Sequence, residues 1–109
     1  MLIRCVGWTV TALTDHDLNA SVIVDCSHGN SEKQHDKQAH VALNLAHQIA
    51  EGQKAIRGVM LESHLVAGQQ DIAALPLTYG QSITDACLAL DDTVPLLERL
   101  AEAVRQARR

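Results

Sequence analysis

Two short runs that stay apolar at successive positions constrain this chain more than any other feature. Residues 21–25 (SVIVD) are a short β-branched run, and residues 55–63 (AIRGVMLES) are again mostly apolar, with Arg57 near the start as the one polar intrusion. A strand with one wet face alternates apolar and polar residues, whereas an unbroken apolar strand suits a parallel sheet covered on both faces. Between the runs, Ser31 and Gln34 form a capping-box pattern that predicts a helix from near Glu32, with Gly52 as its stop. Ala39, Ala42, Leu43, Ala46, Ile49 and Ala50 recur at spacings of three and four and make its apolar stripe. Strand, helix and parallel strand imply a right-handed crossover, so the fold class is α/β.

A last helix is predicted to open at Asp91, Asp92 and Thr93, with Leu97, Leu100, Ala101 and Val104 facing inward and Arg105, Arg108 and Arg109 complementing its negative end. Residues 63–90, with Gly68, Pro76 and Gly80, make a connection longer than the roughly 12 to 15 residues that compact domains tolerate without regular structure. Such loops are functional or disordered. Residues 1–20 are an unassigned lead-in, and the coarse pattern after them is β-α-β-α.

A chain of 109 residues is one domain at most, with a modest core. The formal charge of −4, with only Trp8 and Tyr79 able to stack on a base, argues against nucleic acid as a partner. Cys5, Cys26 and Cys87 are an odd set without CxxC spacing, which argues against a disulfide framework or a structural zinc knuckle. That usage fits a reducing compartment, so the expected location is the cytoplasm. The opening MLIRCVGWTVTALTDHD meets acidic residues too soon for a signal peptide, and no apolar stretch approaches the roughly 18 to 20 residues needed to span a bilayer. A soluble protein without membrane contact is expected.

Ligands of parallel α/β units gather at the carboxyl ends of the strands. Asp25, Cys26, Ser27 and His28 close the first run, and Glu62, Ser63 and His64 close the second, so both clusters should share one edge of the sheet. The competing reading is that strand ends are polar because they reach solvent. Asp25, Ser27 and His28 suggest hydrolase chemistry, but side chains alternate along a strand, which should keep the three from converging. Cys26 and His28 share a side as a conceivable thiolate pair, although a Cys ending an apolar strand reads better as a small buried residue. His28, Glu62 and a loop carboxylate, Asp71 or Asp85, are suitable ligands for a divalent transition metal. His35, His40 and His47 lack the i, i+4 spacing of a helical metal pair. The run SHGNSEK is a weak phosphate-cradle signal with one Gly and one Lys.

Four segments, VDCSHGNSEKQ, GVMLESHLVAG, PLTYGQSITDAC and LLERLAEAVRQARR, together resemble the carboxyl-terminal end of class I 3-deoxy-D-arabino-heptulosonate 7-phosphate (DAHP) synthases, from about residue 21 onward. The resemblance implies a partial (β/α)8 TIM barrel, residues 21–109 supplying the last two strand-helix units, with residues 1–20 outside it and open to a non-homologous origin. It implies that His28, Glu62 and Asp85 bind a divalent metal of the Mn, Fe, Co or Zn class, as three of four family ligands, the fourth being a Cys elsewhere. It further implies an aldol-like condensation of phosphoenolpyruvate with erythrose 4-phosphate in the shikimate pathway. Asp85 and, more weakly, Lys33 are then candidate substrate-binding residues, and His64 and Cys87 candidate supports beside the ligands. A sister family that makes an octulosonate 8-phosphate is the enzymatic runner-up.

Family members are about three times as long. Two parallel strands leave both sheet edges open, so self-association or pairing with a separate amino-terminal portion is expected. The functional alternatives are a synthase incomplete by itself, a subunit active only with an amino-terminal part, and a non-catalytic metal-binding or interaction module.

Overall fold

A computed structural model of the chain describes residues 2–31 and 34–109. Its elements are α1 (Leu2–Asp15), β1 (Val22–Asp25), α2 (His28–Ser31), α3 (Lys37–Ala50), β2 (Ile56–Met60), β3 (Ser63–His64), β4 (Leu88–Ala89) and α4 (Leu90–Ala107). The protein is α/β with two small parallel sheets, β1 on β2 and β3 on β4. Parallel pairing needs a crossover, and α3 provides it between β1 and β2. The register aligns Asp25 with Met60, and the Cys26 N–H continues the ladder to the Met60 carbonyl at 2.9 Å. Both strands therefore finish side by side, which brings their polar ends together.

The core joins Val6 of α1, Val24 and Cys26 at the end of β1, Ala42 and Leu45 of α3, Ile56 of β2, Leu88 of β4 and Leu96 of α4. The lead-in is thus a helix whose Val6 reaches the core. One face of the main sheet is covered, while Ile23 on β1 stands 75% exposed. That differs from the expected burial of both faces: the unbroken apolar run belongs to a strand whose second face has no cover within these residues.

The predicted stripe of α3 faces inward, with Ala42 and Ala46 buried and Ala39, Leu43 and Ile49 packed against the core, whereas α4 is rotated from its predicted stripe. The predicted start near Glu32 falls on residues outside those described, and α3 begins at Lys37, after the separate turn α2 and a bend in which Lys37 and Gln38 donate to the Gln34 and His35 carbonyls. Its buried side carries Gln38, Ala42, Leu45, Ala46 and Gln48, with Leu43 only partly covered. Two amides are accommodated because their polar atoms are paired; the Gln48 amide donates to Asn44 at 2.7 Å. In α4 the buried residues are Thr93, Leu96 and Ala103, and Leu97 is 51% exposed. Thr93 fixes that rotation, since its hydroxyl donates to the Ala89 carbonyl at 3.1 Å and meets the Ser63 hydroxyl of β3 at 2.7 Å.

The long connection is ordered without long strands. Gly68 and Cys87 exchange backbone hydrogen bonds at 2.8 and 3.1 Å, and the Gln70 side chain donates to the Thr78 and Gln81 carbonyls while accepting the Thr78 N–H. Gly80 sits at φ +81, and a Cβ there would lie 2.8 Å from that of Leu65, so glycine is required. Among the described residues no helix is long and apolar enough to cross a membrane.

Candidate metal centre

Three separate segments deliver one donor each to the shared end of the strands. His28 opens α2 just past β1, Glu62 lies between β2 and β3, and Asp85 lies in the long connection before β4. The His28 Nε2 stands 3.1 Å from Glu62 Oε1 and 3.2 Å from Asp85 Oδ2, and one donor atom from each residue falls within 4.8 Å of the others. The expectation of a common edge is met in the geometry. Asp71, the alternative loop carboxylate, instead accepts the Ala73 N–H at 2.9 Å.

Glu62 is held by a residue that sequence reasoning did not single out. Gln38 of α3, fully buried, uses both ends of its amide on the main chain of Glu62: its Oε1 accepts the Glu62 N–H at 2.9 Å and its Nε2 donates to the Glu62 carbonyl at 3.2 Å. Its position in the first turn of a helix that crosses between the two strands was the only available signal. His28 has φ +49, a left-handed backbone that turns the chain out of the strand direction. The alternation argument against convergence therefore fails: Asp25 Oδ2 and Ser27 Oγ both approach His28 Nδ1, at 2.9 and 2.8 Å. No hydrolase triad results, because Ser27 is only 2% exposed and its hydroxyl bonds the carboxylate of Asp25.

Electrostatics follow from these contacts. The hydrogen bond to Asp25 raises the His28 pKa above its ordinary value; partial burial opposes the shift, and Glu62 and Asp85 add to it. Burial works against the charge on Asp25, but hydrogen bonds from the Ser27 hydroxyl, His28 and the Ser27 N–H outweigh it and hold the carboxyl below 3.8. Cys26 is fully buried, and that burial, helped by the Asp25 charge, pushes its thiol up to about 11. A thiol so placed packs rather than reacts, as the sequence favoured.

An imidazole nitrogen with two carboxylate oxygens suits a divalent first-row cation. Metal–ligand bonds of about 2.0–2.2 Å put neighbouring tetrahedral donors roughly 3–3.5 Å apart, close to the spacings at Nε2. The residues fit such an ion. A cavity of about 10 Å³ adjoins the trio, lined by Ser27, His28, His35, Gln38, Glu62, Asp85 and Ala86.

The other predicted residues lie around this centre or apart from it. Lys33 is outside the described residues. His64 is exposed on β3, where its Nδ1 accepts the Leu65 N–H at 2.8 Å, and among the described residues no hydrogen bond or ion pair joins it to the trio. The Cys87 thiol donates to the Asp85 carbonyl at 3.5 Å; burial raises its pKa, the Ser82 side chain opposes this, and Glu62 and Asp85 reinforce it. His40 and His47 are exposed on α3.

A family model described as the DAHP synthetase I family matches residues 8–98, a span that begins within α1. A putative phospho-2-dehydro-3-deoxyheptonate aldolase of Schizosaccharomyces pombe is 54% identical over 91 residues, covering 81% of this chain and 25% of the relative. The Phe-sensitive phospho-2-dehydro-3-deoxyheptonate aldolase of Escherichia coli K12 is 53% identical over 92 residues, covering 84% of this chain and 26% of the relative. The chain therefore spans about a quarter of the length of the curated relatives it matches. In three dimensions it is similar to the phospho-2-dehydro-3-deoxyheptonate aldolase of Francisella tularensis SCHU S4, with a TM-score of 0.91 and 50% identity over 95% of this chain and 30% of that one. With the match spanning most of its length, the chain belongs to the DAHP synthetase I family, a family of enzymes.

Proposed function

We propose that these residues are the carboxyl-terminal part of a DAHP synthase barrel, its last two strand-helix units, and that His28, Glu62 and Asp85 hold its divalent cation. The reaction is the aldol-like condensation of phosphoenolpyruvate with erythrose 4-phosphate in aromatic amino acid biosynthesis, in the cytoplasm. The observation that carries the reading is the convergence of three donors from three segments within 4.8 Å, in a chain of this family.

A divalent cation of the Mn, Fe, Co or Zn class, when bound, supplies Lewis acidity toward the aldehyde oxygen. His28 offers Nε2, and Glu62 and Asp85 offer two negative charges that suit a dication. Asp85, the most exposed of the three, also faces incoming erythrose 4-phosphate in this reading. Lys33, five positions after His28 in sequence, adds positive charge toward a phosphate group. His64 and Cys87 support the connection that carries Asp85.

The 109 residues do not hold the substrates alone in this proposal. The 10 Å³ cavity at the trio has room for about one water-sized body, far less than a sugar phosphate. A groove of about 560 Å³ runs along β1 beside α1, and another of about 390 Å³ lies between the start of β2 and the end of α4. Open edges, that of β1 with a mostly apolar wall, suit further strands, whether from a second copy or from an amino-terminal portion bearing the fourth ligand and the phosphate-holding residues. The small cavity also favours, for the chain by itself, the alternative of a non-catalytic metal-binding module.

Phosphoenolpyruvate consumption with Mn²⁺ and erythrose 4-phosphate, measured with the chain alone and with a supplied amino-terminal portion of a family member, tests the proposal. Turnover in the mixture and none alone is expected. Metal binding without turnover in either case favours the module, and absence of Mn²⁺ binding removes the metal reading.

A further inference from the structure

Among the described residues three carboxylates touch His28, and two of them belong with the cation trio. Glu62 and Asp85 stand at Nε2, whereas Asp25 stands at the other ring nitrogen, with Oδ2 2.9 Å from Nδ1 and Ser27 Oγ beside it at 2.8 Å. A neutral imidazole has one N–H and one lone pair, and its neighbours decide which nitrogen carries the proton. Both neighbours of Nδ1 among the described residues are acceptors, and the two acceptors at Nε2, Glu62 and Asp85, are the groups whose charge a bound cation would take. The Ser27 hydroxyl hydrogen is committed to Asp25 Oδ1 at 2.5 Å, so Oγ turns its lone pairs to the ring, and the Ser27 N–H on the same Oδ1 at 2.8 Å fixes the rotation of the carboxylate.

We infer that Asp25 is a positioning residue: with Ser27 it fixes the Nδ1–H tautomer of His28 and so presents the Nε2 lone pair to a divalent cation shared with Glu62 and Asp85. This inference rests on the metal reading above: without a cation, acceptors face both ring nitrogens, and with one bound, Nδ1–H is the form that leaves Nε2 to the cation. Loss of the outer partner of a metal-ligating imidazole costs about 10–100-fold in metal affinity.

Asparagine is the discriminating substitution. In Asp25→Asn the side-chain oxygen stays where the Ser27 N–H and O–H both donate, which leaves the NH₂ against Nδ1. That group can only donate, so Nδ1 becomes the acceptor and the proton sits on Nε2, in the way of the cation. A carboxylate-to-amide swap beside a functional imidazole acts through the wrong tautomer in the same manner in serine proteases. Asp25→Ala removes the acceptor and frees the Ser27 hydroxyl to donate to Nδ1. If Asp25 served only to support the turn, Asn, the closer mimic, would be the milder change; fixing the tautomer makes Asn at least as damaging as Ala.

The experiment uses the ¹⁵N-labelled chain and its Asp25→Asn and Asp25→Ala variants, calorimetric titration with Zn²⁺, and ring-nitrogen shifts of the Zn²⁺-saturated parent. Expected are a Zn²⁺ affinity about 10–100-fold lower in Asp25→Asn, a loss no smaller than that of Asp25→Ala, and a His28 ring in the loaded parent that carries its proton on Nδ1. Thermal melts report whether each variant keeps its fold. A proton on Nε2 in the loaded parent, or a milder affinity loss in Asp25→Asn than in Asp25→Ala, overturns the inference. No Zn²⁺ binding by the parent overturns the metal reading on which it rests.

Discussion

The end of the main sheet and its flanks are built to different standards. At the end, His28, Glu62 and Asp85 meet, Gln38 grips the main chain of Glu62, and Asp25 with Ser27 grips the imidazole. Every buried side-chain polar atom among the described residues has a partner. Along the flanks, Ile23 projects from an uncovered face, β1 borders a mostly apolar groove, and the start of β2 borders one that Lys54, Arg57 and Arg108 share with Ile56 and Val104. A cluster made by neighbouring strands and the segments that follow them is local, so its three donors can meet within about a quarter of the relatives' length. A sheet edge has no such local solution, because its hydrogen bonds and apolar faces need another strand.

The largest effect comes from removing a donor at the finished end. His28→Asn keeps a residue that tolerates φ +49, so the turn survives while the imidazole is lost. Loss of an outer partner alone costs about 10–100-fold, so Zn²⁺ or Mn²⁺ affinity should fall by more than about 100-fold, read by calorimetry, with the far-ultraviolet circular dichroism unchanged. An unchanged affinity would place the cation elsewhere and remove the contrast.

The flank is probed by Ile23→Lys. Ile23 stands 75% exposed, so the charge costs the single chain little, yet it interrupts whatever apolar surface covers that face. Burying an isoleucine contributes about 1.5–3 kcal/mol, which corresponds to about 10–100-fold in a dissociation constant. Sedimentation should show the parent associating and Ile23→Lys shifting toward monomer by that factor, with metal affinity kept. A parent that sediments as a monomer with a cooperative melt would show the flank to be self-sufficient.

The same contrast explains what could be read from the sequence. Strand ends are written locally: an apolar run that stops at Asp25 or just before Glu62 marks where reactive groups emerge, and the trio follows from two such stops and one loop carboxylate. Helix rotation is not local. Leu97 fits a periodic stripe as well as Leu96 does, and the choice is made by Thr93 on Ser63, a contact between segments far apart in sequence. The Asp25–His28 contact was missed for a different reason: strand alternation stops applying at the residue with φ +49, and no periodicity signals a left-handed histidine. α1 falls in the unassigned lead-in, although Val6 enters the core and Val10, one turn on, packs against it.

The smallest effect links end and flank through pH. His28 is raised above about 6.5 chiefly by Asp25, so the fold favours the charged ring. That stabilisation is fully present below about 6.5, once the carboxylates are ionised, and is lost as pH rises through the raised value. Asp25 works at the other limit: its lowered pKa stabilises the fold above 3.8 and that contribution is lost as acid protonates it. Cation binding needs an unprotonated Nε2, so metal affinity must rise across the window in which metal-free stability declines. The His28 side chain is 41% exposed, so solvent screens the pairs and both slopes stay shallow. Melting temperature followed across that window should fall gently without metal, rise with saturating Mn²⁺, and be flat in both conditions for His28→Asn. A metal-free melting temperature that climbs instead would mean that the carboxylates do not hold the imidazole as a cation, and the end of the sheet would then be no better finished than its flanks.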